Sequence, residues 1–166
     1  MRLKMPVEDV YTDAFDASRV AWVETGVSPY LHDTDIDWIG TNITNVEEGD
    51  WTFPVSVGSG VINSVKVRLE NYVTVLNCGL VRVYVWNGAA WGLAGSVGGA
   101  SLVYAWEEID VSAILNTWAK INAAKVYLKY ARLLNGSQYV RRLTRKVDYT
   151  PAAGAVLRRL LVGVGL

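Results

Sequence analysis

The chain has 166 residues, of which 51% are hydrophobic. It is long enough to bury roughly two-thirds of its unfolded surface as one domain. Its net charge is zero, and Cys78 and His32 are its only cysteine and histidine. This composition excludes a disulfide framework and a cysteine-based zinc cluster, and a histidine-based triad would depend on one residue.

The charges are unevenly distributed. Residues 1–60 carry eleven acids against three bases, while residues 61–166 carry thirteen bases against five acids. Such opposite charges either pair inside one fold or make two copies of the chain complementary, and we leave both interpretations open. Acids follow Arg2 and Lys4 where a secretion signal needs an apolar run, so we expect no signal peptide. Residues 154–166 are apolar but too few to cross a bilayer, so we expect no membrane span.

The first 60 residues show little regular alternation. Residues 1–19 are polar and acidic and predict an N-terminal arm laid over the body of the protein. Residues 20–24 predict a short strand and residues 26–40 a loop. Turn residues at 47–50 predict a turn, and residues 52–57 predict an edge strand, because Pro54 has no amide hydrogen for a central ladder.

The clearest pattern lies in residues 62–91, where apolar and polar residues alternate in two runs, as in half-buried antiparallel strands. The apolar members are Val65, Val67 and Leu69 in the first run and Val81, Val83 and Val85 in the second. Asn87-Gly88 then predicts a hairpin with a type I′ turn before Trp91, since both residues tolerate positive φ.

The remaining sequence returns to β structure after one helical segment. Residues 102–106 predict a strand, and residues 110–118 a helical turn capped by Asp110. Residues 126–134 and 139–149 predict two further strands joined by a second hairpin at Asn135-Gly136, and Pro151 ends the last of them.

These elements predict an all-β protein: an antiparallel two-sheet sandwich of jelly-roll or Greek-key type, with one short helical turn and extended terminal arms. The sandwich domain would cover residues 20–151, between an N-terminal arm at 1–19 and an apolar and basic C-terminal arm at 152–166. An α/β fold is not expected, because strands and helices do not alternate.

Three acidic residues at alternate positions, Asp33, Asp35 and Asp37, resemble the opening of a calcium loop. Trp38 stands where an EF-hand has its glycine, so we favour an ordinary solvated loop and expect no metal or other cofactor. No nucleophile motif accompanies His32, and Cys78 has the surroundings of a buried residue. The pair Glu107-Glu108 leaves a glycosidase open on spacing alone, but we expect no enzyme.

Two groups of residues are candidates for an interface. Tyr84 and Trp86 lie opposite the apolar face of their strand and would be exposed, with Trp91 close by. The last strand carries Arg141, Arg142 and Arg145, for which we favour contact with protein over nucleic acid because the chain is neutral overall.

Several phrases carry a resemblance to a known type of domain. They are SPYLHDTD (28–35), TNVEEGDWTFP (44–54), INSVKV (62–67), VYVWNGAAW (83–91), TWAKINAAKVYLKY (117–130) and VDYTPA (147–152). Together they resemble a jelly-roll sandwich domain of phage and virus structural proteins and prokaryotic surface proteins. The resemblance implies a fold and no catalytic residues. One departure is Arg145, which shares a strand face with Leu143 and Val147 and would need an edge position or an acidic partner.

We therefore expect a non-enzymatic structural protein that assembles with copies of itself and with other structural proteins. A virion component such as a capsid, decoration or tail-associated subunit, assembled in the cytoplasm, is the leading interpretation. A polysaccharide-binding module or a cell-surface adhesin subunit is the alternative. The C-terminal arm would act as the clamp between subunits, through the apolar residues Val156, Leu157, Leu160, Leu161 and Val162.

Overall fold

The computed structural model describes residues 6–19, 22–25 and 38–152. They form eleven strands and one helix. These are β1 (Val7–Tyr11), β2 (Ala14–Arg19), β3 (Val23–Thr25), β4 (Trp38–Thr41), β5 (Glu47–Thr52), β6 (Val61–Val73), β7 (Gly79–Trp86), β8 (Trp91–Val97), β9 (Ala105–Asp110), α1 (Trp118–Ala123), β10 (Lys125–Arg132) and β11 (Gln138–Thr150).

The strands form two antiparallel sheets that pack face to face, which confirms the predicted sandwich. Sheet A has the order β3-β4-β11-β6-β9, and β1 also pairs with β11; sheet B has the order β2-β5-β10-β7-β8. Strands β4 to β11 pair in a nested way, first with last and then inward, until β7 meets β8. This is the winding of a jelly roll, in which one long hairpin is rolled into two sheets.

The two alternating runs predicted from the sequence are β6 and β7, and their apolar faces line the core. Val65, Val67, Leu69, Val81, Val83 and Val85 are all fully buried. The runs lie in different sheets, so they face each other across the core and are not hydrogen-bonded neighbours. Strands β10 and β11 complete this layer with Val126, Leu128, Tyr130, Val140, Leu143 and Val147.

One predicted hairpin is present and the other is wrong. β7 and β8 form a hairpin, but its loop has four residues, and Asn87 accepts hydrogen bonds from the amides of Ala89 and Ala90 at 2.9 Å while Gly88 takes the positive φ. Asn135-Gly136 instead joins β10 in sheet B to β11 in sheet A. A turn motif specifies a local reversal, whereas the partner of the returning strand depends on distant residues.

The N-terminal segment contributes a strand to each sheet. β1 lies along β11, with Val7 opposite Asp148 and Tyr11 opposite Thr144. β2 lies along β5 at the edge of sheet B. The described part of the predicted N-terminal arm therefore extends both sheets of the sandwich, because its backbone groups complete ladders that β5 and β11 leave open on one side.

Other boundaries also differ from the prediction. Residues 47–50, predicted as a turn, belong to β5, and residues 53–59 after it are not in a strand. Asp110 accepts from the amide of Ser112 at 2.8 Å and begins only a turn, while α1 starts later, capped by Thr117. Either residue has the side-chain oxygen that an N-cap requires, so the sequence alone did not separate the two.

Candidate functional site

Four aromatic side chains lie together on the outer face of sheet B and define what we call the aromatic patch: Tyr84, Trp86, Trp91 and Tyr127. Tyr84 is directly opposite Tyr127 in the β7–β10 ladder, and Trp86 is opposite Trp91 in the β7–β8 ladder. The rings of Tyr84 and Tyr127 stack with centroids 4.5 Å apart and planes at 4°. The ring of Trp91 meets that of Tyr127 edge to face with centroids 4.8 Å apart, and it lies at 54° to the ring of Trp86 with centroids 5.7 Å apart.

The patch follows from the alternation of its strands. Because Val83 and Val85 point into the core, Tyr84 and Trp86 must point outward. Strand β10 alternates in the same way, with Val126 and Leu128 inside and Tyr127 outside. Tyr84, Trp86 and Trp91 are partly exposed, whereas Tyr127 is covered by its neighbours. The exposure predicted for Tyr84 and Trp86 is therefore found in part.

Arg19 covers one side of the patch. Its guanidinium carbon lies 4.2 Å from the ring centroid of Tyr127 and 5.0 Å from that of Trp91. Gly49 of β5 pairs with Arg19 of β2 on one side and with Tyr127 of β10 on the other. A Cβ on Gly49 would come within 2.7 Å of the Tyr127 Cβ. The missing side chain leaves the space in which the arginine reaches the rings.

Acidic side chains fix this arginine. Arg19 pairs with Glu47 at 3.2 Å and with Asp50, and Glu47 also accepts from Lys129 at 3.1 Å. Burial raises the pKa of Tyr127, and the carboxylate of Glu47 raises it further, so its hydroxyl stays protonated in the neutral range. The patch is thus a set of neutral aromatic rings held by paired charges.

The outer face of sheet A holds two of the arginines predicted at an interface. Arg141 makes a two-point contact with Glu70 through Nε at 2.7 Å and Nη2 at 2.9 Å. Arg142 contacts the same carboxylate at 3.1 Å. Both reach Glu70 because the ladder register shifts between Val140 and Arg142, a β-bulge that turns consecutive arginines to one face. Both guanidinium groups are thus bound to an acidic residue of the same chain.

Arg141 also lies 4.2 Å from the ring centroid of Tyr104. Tyr104 meets Tyr72 edge to face at 4.6 Å, and Tyr72 stacks on Tyr139 at 4.8 Å. Burial, followed by the neighbouring Tyr72, raises the pKa of Tyr104 to about 12. This second aromatic group was not predicted, since its members come from three separate segments of the chain.

Arg145 does not lie at an interface. It is fully buried in the core, where Nη1 donates to the carbonyl of Ile121 and Nη2 to that of Pro54, both at 2.9 Å. Its guanidinium carbon lies 5.3 Å from the ring centroid of Phe53. Among the described residues, neither an edge position nor an acidic ion-pair partner, the two expectations from the sequence, accounts for it. Backbone carbonyls that no strand uses supply the partners instead.

Several predicted residues lie outside the described residues: Asp33, Asp35, Asp37 and His32, and Val156, Leu157, Leu160, Leu161 and Val162 of the C-terminal arm. Within residues 6–19, 22–25 and 38–152, no three His, Cys, Asp or Glu side chains come together as metal ligands.

The adjacent acids Glu107 and Glu108 do not converge. Glu107 accepts from the amide of Gly98 at 3.1 Å and from Asn71, while Glu108 contacts Lys66 and Arg68. The lone cysteine, Cys78, is buried with its sulfur 3.4 Å from the hydroxyl of Tyr130. Each of these polar groups has a structural partner.

Tyr127, Arg19 and Glu47 belong to the site but were not predicted. The alternation of residues 125–130 already placed Tyr127 outward, so that signal was available. Arg19 gave no such signal, because its strand joins sheet B only through pairing with β5.

Comparison with known proteins adds no family assignment, since neither a family model nor a curated protein matches the chain. No helix among the described residues is long and apolar enough to cross a bilayer.

Proposed function

We propose that this protein is a non-enzymatic structural subunit that works by assembling with copies of itself and with other structural proteins, as a component of a virion. The observation that carries the proposal is the aromatic patch with Arg19 on the outer face of sheet B. Tyrosine, tryptophan and arginine are the residues most enriched in the energetic centres of protein interfaces.

The arrangement of the patch supports a protein partner. Its rings hold each other at 4.5 to 5.7 Å, so little side-chain freedom is lost when a partner covers them. Arg19, which lies over the rings, and Lys129 are both paired with Glu47, so a partner need not supply counter-ions for these two cations. A subunit of this kind would act in a virion assembled in the cytoplasm.

Polysaccharide binding is the second candidate, and the partly exposed rings of Tyr84 and Trp86 favour it. Sugars stack on the open faces of aromatic rings, however, and Arg19 lies over Tyr127 and Trp91 where such a ring would sit. Only part of the patch is left for stacking. This is why we place the polysaccharide module, and with it a cell-surface adhesin, second.

The test measures the molar mass of the full chain by light scattering at increasing protein concentration. We expect wild type to form species heavier than the 18.3 kDa monomer. Replacing both Trp86 and Trp91 by Ala should lower that mass. The matched control is Arg82→Ala, which removes an exposed side chain from the same face of β7.

An unchanged mass for the tryptophan variant would refute the patch as an assembly contact. Retention on immobilised polysaccharide by a monomeric wild type, lost in the same variant, would establish the second candidate in its place. Removing residues 152–166 tests the C-terminal clamp separately, since loss of assembly there with an intact patch assigns the contact to the arm.

A further inference from the structure

Four loops meet at one end of the sandwich and form what we call the apolar loop end. They are residues 42–46, 74–78, 98–104 and 133–137, which follow β4, β6, β8 and β10. Seven aliphatic side chains on them are between 44% and 71% exposed: Ile43, Val75, Leu76, Leu102, Val103, Leu133 and Leu134. An exposed apolar surface drawn from four separate loops marks an interaction site.

The loops contain no Asp, Glu, Lys or Arg. Charged side chains of the flanking strands contact them and are held within the chain. Arg132 donates to the carbonyls of Asn42 at 3.0 Å and Leu134 at 3.1 Å and is held by Asn135. Glu107 accepts from the amide of Gly98 at 3.1 Å, and Arg141, paired with Glu70, lies 4.2 Å from the ring centroid of Tyr104. Both sheet faces, in contrast, are covered by ion pairs such as Lys66 with Glu108.

Backbone hydrogen bonds tie three of the loops, residues 74–78, 98–104 and 133–137, to one another. Thr74 donates to Ser137 at 3.1 Å, Asn77 to Gly99 at 2.8 Å and Leu133 to Cys78 at 2.7 Å. The loop end is therefore a preformed surface. Because these amides already have acceptors within the chain, a partner that covers the surface would leave few of them without a hydrogen bond.

We propose that the apolar loop end is a contact surface between two copies of this chain. A two-fold contact sets a patch against itself, so charges of one sign would repel there, and the four loops of this end carry none. The polar residues between the aliphatic ones include Asn42, Asn45, Asn77 and Asn135, whose amides both donate and accept. Such groups pair with their own copies, whereas a lipid surface would leave them unpaired.

The size of the surface also fits a second copy. The four loops comprise 22 residues, of which all but Cys78 and Gly99 are at least partly exposed, and one side of a standard interface contributes roughly 20–30. The inference rests on the proposed function, because it names a copy of the chain as one assembly partner. It adds a second surface, at an end of the sandwich, to the aromatic patch on a sheet face. Two different contacts on one subunit allow assemblies larger than a dimer.

The test uses the full chain and sedimentation velocity over a range of concentrations. Leu133→Asp and Leu76→Asp, made separately, replace exposed side chains that the core does not need. Each should weaken the end-to-end contact at least tenfold, and combining Leu133→Asp with the Trp86 and Trp91 substitutions should give a monomer. The control is Val55→Asp, about as exposed as Leu133 but in the loop between β5 and β6; it should assemble as wild type does.

Unchanged sedimentation of both aspartate variants, with wild-type circular dichroism, would overturn the inference. If the tryptophan variant still lowers the mass in that case, the proposed function stands without this contact. Co-sedimentation of wild type with phosphatidylcholine and phosphatidylserine vesicles, lost in Leu133→Asp while the mass stays the same, would also overturn it and assign the end to a membrane surface.

Discussion

The guanidinium of Arg145 donates a 2.9 Å hydrogen bond to the carbonyl oxygen of Ile121 inside the core, near the end of α1. The same guanidinium binds the carbonyl of Pro54, in the segment after β5. One side chain of sheet A thus joins the helix to the loop that leaves sheet B. Burial lowers the pKa of Arg145, but an arginine stays protonated in the folded protein.

Removing this side chain should destabilise the sandwich. We expect Arg145→Ala to lower the free energy of unfolding by about 3 kcal/mol or more, since it leaves a cavity and removes the donors that Arg145 supplies to the carbonyls of Pro54 and Ile121, of which the second keeps the amide of Ala124. Both substitutions remove the buried charge, but Arg145→Met should cost less because its side chain also fills most of the space. Urea unfolding measures both, and equal losses in the two variants would show that the hydrogen bonds dominate over packing.

Gly49 should not tolerate a side chain. Its φ is +136°, and a Cβ would lie 2.7 Å from the Tyr127 Cβ, so we expect Gly49→Ala to destabilise the protein by about 2 kcal/mol. The control is Gly92→Ala, where the nearest atom to a new Cβ is 3.8 Å away. Thermal melting compares the two variants. Similar melting temperatures would contradict the conclusion that the space beside Gly49, between Arg19 and Tyr127, cannot hold a side chain.

Glu70 should matter more than other acids of sheet A. It is 5% exposed and forms ion pairs with both Arg141 and Arg142. Glu70→Gln should therefore lower the free energy of unfolding by about 3 kcal/mol, because a neutral amide does not balance the charge of the two arginines. Glu108→Gln affects an exposed pair and should cost less than about 1 kcal/mol. Urea unfolding decides, and a reversed order of the two losses would refute the distinction.

Asp110 should make stability depend on acid pH. Hydrogen bonds from the side chain and backbone of Ser112 hold the pKa of this carboxyl below its ordinary 3.8. A carboxyl with a lowered folded pKa contributes stability that is present above the unfolded pKa and is lost as pH falls through the folded pKa. The difference in unfolding free energy between wild type and Asp110→Asn should therefore shrink as the pH falls below about 4. A difference independent of pH between 2 and 7, the range to be measured, would contradict this assignment.

The arrangement of β10 and β11 shows where prediction from sequence stopped. Each was predicted nearly to its ends, because period-two alternation is a local property of consecutive residues. Their assignment to different sheets was missed, since Asn135-Gly136 signals a reversal equally well within a sheet or between sheets. Likewise the alternation placed Trp86 on an outer face, but only the β7–β8 register set it against Trp91.

By itself, the sequence determined the all-β class, the two faces of β6 and β7 and the burial of Cys78, because each depends on the pattern of neighbouring residues. The tertiary structure alone decided the nested strand order, the pairing of Arg141 and Arg142 with Glu70, the burial of Arg145 and the gathering of four loops at one end. These features join residues far apart in the chain. Their formation depends on long-range pairing and packing, for which no local pattern of side chains is a substitute.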